Sequence, residues 1–222
     1  DEAFMDFTGI SDYLKYALAI ENRVKKCTGI PISIGIANTK TLAKVANHVA
    51  KKYSSNNVFL LVEKNQIIKI LKKLPVSKLW GVGHRHSIML NSYGVHTGYD
   101  FIQLKESWIR KKMTVSGVRM LRELREERCF SINISPDRKK SICTSRTFGT
   151  DVKDFRILQQ AVSNHAARCA EKLRKQRSCA SYVSVILNTN PFKDSDSQYT
   201  AYRSMKLETP TNDSISLIKA SS

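Results

Sequence analysis

The first two residues, Asp1 and Glu2, are adjacent carboxylates, the side chains through which proteins bind magnesium. Neighbouring residues on a regular strand point to opposite faces, so both carboxylates reach one metal site only where the backbone turns or bulges. Acidic residues are also common at solvated strand ends. The pair indicates a candidate magnesium site and leaves the solvated alternative open.

A run of lysines after the apolar pattern of residues 30–37 predicts a helix with one cationic face. At about 100° per residue, Lys40, Lys44 and Lys51 fall within roughly 40° of one another. The opposite side of this helix carries apolar residues, namely Leu42, Val45, Ala46 and Val49. A helix that leaves a buried strand is a common anion site in α/β proteins, although a solvated lysine face gives the same pattern.

The sequence Gly81–Val82–Gly83 stands between two short apolar repeats, a spacing typical of a helix-hairpin-helix. Glycine lets backbone N–H groups approach a phosphate closely. Lys78 and Arg85 flank this turn and favour a polyanionic ligand. The pattern predicts a contact with a nucleic-acid backbone, and an ordinary helix connection is the alternative.

The elements that must position the carboxylates and the lysines form a predicted α/β layer. Alternating apolar residues and helix caps predict a strand over 3–7, a helix over 11–26, a strand over 30–37 and a helix over 39–52. The following stretch, residues 64–128, predicts short helices with breaks at Pro75, Gly81 to Gly83, Gly94 and Gly98.

The last part of the chain predicts a separate small α/β domain. A polar stretch, residues 131–141, contains Pro136 and several basic residues, which is typical of an extended linker. The elements predicted after it are a strand over 141–148, a helix over 155–177, strands over 180–189 and 200–208, and a helix that begins after 212. This β-α-β-β-α order is a split βαβ unit that lacks its last strand.

Net charge points to a polyanionic partner, because 37 basic residues face 19 acidic ones and give +18. Residues 64–130 contribute +9 and residues 131–222 contribute +7, whereas residues 1–63 contribute only +2. No stretch approaches the roughly 18 apolar residues that span a bilayer, so no membrane partner is expected. Five cysteines without a CxxC pair predict free thiols in a reducing cytoplasm.

Four sequence landmarks occur in order along the chain: DEAFMDFTG, SIGIANTKTLAKVANHVAKK, LWGVGHR and ICTSRTFG. Together they resemble the landmarks of Y-family translesion DNA polymerases. Their forms are more similar to the UmuC branch than to the DinB branch, which usually has proline where Lys52 stands. The implied fold is α+β and multidomain: a partial palm over 1–63, a helical thumb over 64–130, a linker over 131–140 and a truncated little finger over 141–222.

The resemblance also implies roles for individual residues. Asp1 and Glu2 match a metal-binding aspartate and the adjoining catalytic glutamate, which also binds metal, and Lys51 matches a lysine that contacts the incoming triphosphate. Gly81, Val82 and Gly83, flanked by Lys78 and Arg85, match the thumb hairpin on the DNA backbone. Arg146, in the last landmark, matches a DNA contact of the little finger, whereas we interpret Asp6 as structural.

The implied reaction is attack of a primer 3′-hydroxyl on a dNTP with two Mg²⁺ ions, in error-prone synthesis during the SOS response. Implied partners are primer-template DNA, dNTP, the UmuD′ dimer, RecA and the sliding clamp, in a bacterial cytoplasm. The family's first metal-binding aspartate, its finger residues, the end of the little finger and the clamp-binding tail have no counterpart in these residues. We therefore expect the second metal site to be incomplete and the chain to be inactive alone.

Two alternatives remain open on the sequence. A non-catalytic DNA-binding module, acting as scaffold or inhibitor, accounts equally well for the basic segments. Adjacent acids beside a cationic helix have no evident use in such a module. The second alternative is a DinB-like bypass polymerase, which differs in lesion spectrum and in its need for accessory subunits.

Overall fold

The computed structural model describes residues 2–132, 138–193 and 197–222. The chain divides into two compact units, Asp1–Ile134 and Ser135–Ser222. Helices and strands are both present, so the fold is mixed α/β, which is compatible with the predicted α+β class. Among the described residues, every helix is too short or too polar to cross a bilayer.

A small βαβ arrangement begins the first unit. Its elements are α1 (Tyr13–Thr28), β1 (Ile34–Ala37), α2 (Lys40–Tyr53) and β2 (Val58–Leu61). Strands β1 and β2 are parallel, with Ile34 opposite Val58. Helix α2 crosses between them so closely that a Cβ on Gly35 would meet the Asn47 backbone nitrogen at 2.0 Å. Only glycine fits there.

Helix α2 forms where the sequence predicts it because its signals are local. The Thr39 hydroxyl caps the helix by accepting a hydrogen bond from the Leu42 N–H. Leu42, Val45 and Ala46 are buried on one side, which leaves the lysines on the other. The predicted cationic face is therefore a feature of the folded chain.

One strand prediction in the first unit is wrong, and a second strand is shorter than predicted. Residues 3–7 form no strand, because a strand needs a neighbouring hydrogen-bonded backbone and the described residues offer none beside this segment. The strand predicted over 30–37 is limited to Ile34–Ala37, the stretch that pairs with β2. Strand β2 itself was not predicted.

The rest of the first unit is helical. It contains α3 (Lys64–Lys73), a 3₁₀ turn (Val76–Lys78), α4 (His84–Ser92), α5 (Gly98–Ile102) and α6 (Glu106–Leu124). Helix α6 is longer than predicted and is broken at Thr114, where φ is 62° and ψ is −165°. One buried apolar cluster runs from Leu42 in α2 to Leu124 at the end of α6, so the predicted palm and thumb stretches share a core.

The second unit contains α7 (Phe155–Gln176), antiparallel strands β3 (Ala180–Asn188) and β4 (Thr200–Thr211), and α8 (Ser214–Ser221). Its small core is formed by Ala170, Leu173 and Leu217. The strand predicted over 141–148 is absent from the described structure. The Thr144 hydroxyl there donates to the His165 carbonyl of α7, so this segment lies against a helix without entering the β3–β4 ladder. The predicted linker 131–140 is described only outside residues 133–137.

Candidate nucleotide and DNA-binding sites

A cleft of about 1150 Å³ lies between the N-terminal segment, β1 and α2 of the first unit. Its lining includes Glu2, Lys40, Lys44 and Lys51. The structure thus brings the predicted acidic residue and the predicted cationic helix face into one cavity. Asp1, the other predicted metal ligand, lies outside the described residues.

Glu2 forms an ion pair with Lys44, whose ammonium donates to the Glu2 carboxylate. This hydrogen bond, and then the charge of Lys44, lowers the pKa of Glu2 below its ordinary value. Glu2 is largely exposed and Lys44 mostly covered. Lys44, which had no individual role in the sequence-based assignment, therefore holds the candidate catalytic carboxylate against the face of α2.

The other two lysines of this face differ in their surroundings. The Lys40 ammonium donates to the Ser131 carbonyl at 2.6 Å and lies 4.9 Å from the Phe4 ring centroid. Lys51 is exposed, and within the described part of the chain its side chain has no hydrogen bond or ion pair. Lys51 is therefore the lysine of this face most available to an anionic ligand.

At the predicted hairpin, both glycines are exposed and lie between the 3₁₀ turn and α4. Gly81 has φ of +94°, which disfavours any other residue, and the Val82 N–H donates to the Leu79 carbonyl at 3.0 Å. Val82 is buried and its N–H is already bound to the Leu79 carbonyl, so it offers a phosphate neither its side chain nor a free N–H. Gly83 is the N-cap of α4, and a Cβ added to it would meet nothing within 4 Å. Lys78 and Arg85 are exposed beside it.

A row of three aromatic rings in tilted and edge-on contact, which the sequence did not predict, links this glycine turn to the acidic segment. The Trp80 ring lies 5.6 Å from Phe4 and 5.7 Å from Phe130, centroid to centroid. Trp80 immediately precedes Gly81, and Phe4 follows Glu2 by two residues. Nothing in the spacing of three distant aromatic residues could have predicted that they meet.

A second cavity, of about 540 Å³, lies within the second unit between residues 143–146 and α7. Its cations are the predicted Arg146 and three residues of α7 that were not predicted, Arg168, Lys172 and Lys175. Glu171 also lines it and pairs with Lys175 at 2.8 Å. The spacing of the three α7 cations, four and then three residues, places them on one helix side and could have signalled the site.

The described residues do not by themselves fit a complete magnesium site. The cleft carboxylates are Glu2, Asp6 and Glu123. The Asp6 Oδ1 accepts from the Thr8 N–H at 2.9 Å and the Thr8 hydroxyl at 2.6 Å. Glu123 is fully engaged with four donors and Glu2 with Lys44. No cluster of three potential ligands occurs in the described ranges.

Two family models match the chain. The impB/mucB/samB family model matches residues 1–48, and the impB/mucB/samB family C-terminal domain matches residues 139–222. Protein MucB of Escherichia coli and protein UmuC of Salmonella typhimurium are each 38% identical to 99% of the chain. DNA polymerase IV of Listeria innocua is 26% identical over 99% of the chain and 60% of its own length.

The chain therefore belongs to the impB/mucB/samB family. The higher identity to MucB and UmuC confirms the predicted resemblance to UmuC-type Y-family polymerases. The chain spans about half the length of these curated relatives, 53% of MucB and of UmuC.

Proposed function

We propose that this chain forms part of an enzyme for error-prone, template-directed DNA synthesis across lesions in the SOS response. The observation that carries the proposal is the cleft, in which Glu2 faces the lysines of α2 in a UmuC-type chain. Carboxylates and ammonium groups in one cavity suit a magnesium-bound triphosphate. The relatives named DNA polymerase IV support a DNA-directed DNA polymerase.

Four residues, Lys51, Lys44, Asp1 and Glu2, have proposed roles. Lys51 contacts the triphosphate of the incoming dNTP, because its ammonium is exposed at the cleft and has no partner among the described residues. Lys44 positions Glu2. Asp1 and Glu2 are proposed as metal ligands. Y-family polymerases generally use divalent metal ions, which supply charge stabilisation when bound, and the remaining ligands must come from other residues.

Primer-template DNA is the proposed macromolecular ligand, held through its backbone. Gly81 and Gly83 are exposed and flanked by Lys78 and Arg85, and their backbone N–H groups are the proposed phosphate contacts. The cavity beside Arg146 offers a second cationic surface. Further proposed partners are the UmuD′ dimer, RecA and the sliding clamp, and the proposed location is the bacterial cytoplasm, where the five free cysteines stay reduced.

A second candidate function is a non-catalytic DNA-binding scaffold. The observation that favours it is the pair of basic surfaces, one in each unit, beside an incomplete set of metal ligands in the described residues. The two functions differ in what Glu2 does: a scaffold has no use for a carboxylate held against the lysines of α2.

Primer extension separates the two functions. The 222 residues alone are expected to bind DNA without extending a primer, whereas a completed enzyme, in which they are joined to the flanking segments of MucB, is expected to extend it. In the completed enzyme, Asp1→Ala or Glu2→Ala should abolish extension and preserve DNA binding. Full activity in either variant, or robust extension by the isolated chain, would contradict the proposed chemistry.

A further inference from the structure

Glu123, near the end of α6, is a fully buried acidic residue with 0% of its surface exposed. One carboxylate oxygen accepts from the Thr41 N–H at 2.8 Å and the Thr41 hydroxyl at 2.9 Å. The other oxygen accepts from the Cys129 N–H at 3.1 Å and the Phe130 N–H at 2.9 Å. Each oxygen therefore holds a different part of the chain.

The first of these parts is the start of α2. Thr41 is the second residue of that helix, where backbone N–H groups have no partner within the helix. The Glu123 carbonyl also accepts from the Thr39 hydroxyl at 2.9 Å, which ties down the capping residue. Glu123 thus fixes where the helix that carries the cleft lysines begins.

The second part is the segment that follows α6. Phe130, held through its N–H, packs on Trp80, which packs on Phe4 near Glu2. In the same segment the Arg128 guanidinium donates to the Asn38 carbonyl at 3.0 Å. The segment is therefore connected both to the start of α2 and, through aromatic rings, to the acidic side of the cleft.

Burial of a carboxylate is unfavourable unless donors replace the lost water, and an apolar residue would fill the same volume at lower cost. A site that nevertheless places a carboxylate there gains directional contacts to two segments at once. An apolar side chain cannot supply them.

We propose that Glu123 is a positioning residue that sets the separation between the lysines of α2 and the Glu2 segment across the cleft. This inference rests on the proposed nucleotide-binding role of the cleft. Glu123 itself does not touch the ligand, because it is saturated by its four donors. Its effect reaches the nucleotide through the register of α2 and the position of Phe130.

The variant Glu123→Gln tests this role, because glutamine keeps the shape but has one acceptor oxygen and one amide nitrogen that cannot accept. One of the two segments must then lose its acceptor. Glu127→Gln is the matched control: it makes the same charge change at an exposed glutamate in the same region. The parent and each variant are titrated with a fluorescent dATP analogue and Mg²⁺, and separately with labelled duplex DNA. Both titrations are made on the 222-residue chain and on the completed enzyme, in which it is joined to the flanking segments of MucB.

Glu123→Gln is expected to weaken dATP binding about ten-fold while duplex affinity stays within about two-fold, and Glu127→Gln to leave both unchanged. Hydrogen exchange without ligand should accelerate in the first turn of α2 or at residues 129–130 in the Gln variant only. Equal losses of dATP and duplex affinity, in step with thermal stability, would reduce Glu123 to a structural residue and overturn the inference.

The remaining outcomes separate this inference from the proposed function. If the parent chain binds dATP and Glu123→Gln binds it equally well, the positioning role is wrong and the proposed function stands. If the parent binds duplex but no dATP both as the 222-residue chain and in the completed enzyme, the nucleotide site and the positioning role both fail. Unchanged hydrogen exchange in both segments would show that the Glu123 carboxylate does not hold them in place and would overturn the inference, whatever the ligand affinities.

Discussion

At the scale of single residues, the three lysines on one face of α2 differ in the contacts that their ammonium groups make. Lys40 is bound to the Ser131 carbonyl and Lys44 to Glu2, whereas Lys51 has no such contact within the described ranges. A lysine already engaged must lose an interaction before it can bind a phosphate. The lysine of this face with the greatest freedom to bind the proposed triphosphate is therefore Lys51.

Lys51→Ala is expected to raise the apparent KM for dNTP about ten-fold in the completed enzyme, because it removes a charge-assisted contact to the triphosphate. Affinity for primer-template should remain almost unchanged. Lys52→Ala, one residue on, makes the same charge change about 100° around the helix and serves as the control. Steady-state extension at varied dNTP measures the first effect and fluorescence anisotropy the second. A loss of DNA affinity with unchanged nucleotide kinetics would refute the assignment.

At the scale of secondary structure, elements that depend on contacts between residues close in sequence were predicted correctly, and elements that depend on distant contacts were not. Helix α2 could be predicted because the Thr39 cap and the apolar stripe lie within one short stretch. The strands predicted over 3–7 and 141–148 are not formed, since strand formation depends on a distant pairing partner that local alternation does not reveal. The hydrogen bonds between Glu123 and Thr41 could not be predicted from the sequence for the same reason, because the two residues are 82 positions apart.

The break in α6 places Thr114 in a backbone region that is essentially restricted to glycine. Thr114→Gly is expected to raise the free energy of unfolding by about 1 kcal/mol. The substitution relieves about 1–3 kcal/mol of backbone strain, and the greater flexibility of glycine in the unfolded chain offsets roughly 0.5–1 kcal/mol of that gain. Gly117→Ala, three residues on, should do the opposite, because its Cβ would meet the Met113 Cβ at 2.5 Å. Urea denaturation of both variants measures the effects, and a destabilised Thr114→Gly would show that the break carries no strain.

The two glycines of the predicted hairpin differ in backbone conformation, so substitution of one of them tests the contact with DNA without straining the backbone. Substituting Gly81 strains the turn, since its φ is +94°, but Gly83 has φ of −76° and open space around it. Gly83→Val should therefore fold normally and weaken binding of unrelated duplex sequences by similar factors, because the side chain blocks the approach of a phosphate. Thermal unfolding and binding to two unrelated duplexes check this. Unchanged affinity, or loss on one sequence only, would count against the hairpin.

At the scale of the whole molecule, charge is distributed so that each unit has its own cationic surface. The surplus of +18 includes Lys78 and Arg85 in the first unit and the cavity of Arg146, Arg168, Lys172 and Lys175 in the second. Lysine and arginine contacts to phosphate carry no sequence information and release counterions. Binding to DNA should therefore be sequence-independent and should weaken steeply as salt increases.

The salt dependence gives a quantitative test of the second-unit cavity. Each phosphate neutralised contributes about −0.9 to the slope of log K against log salt concentration. Arg168→Gln and Lys172→Gln should each make that slope shallower by about 1, and the double variant by about 2. Arg156→Gln, on the same helix but outside the cavity, makes the same charge change and should leave the slope unaltered. Anisotropy titrations at several salt concentrations measure all four proteins against the parent chain. Equal slopes for the cavity variants and the Arg156 control would show that DNA binds elsewhere on the second unit or on the first unit alone.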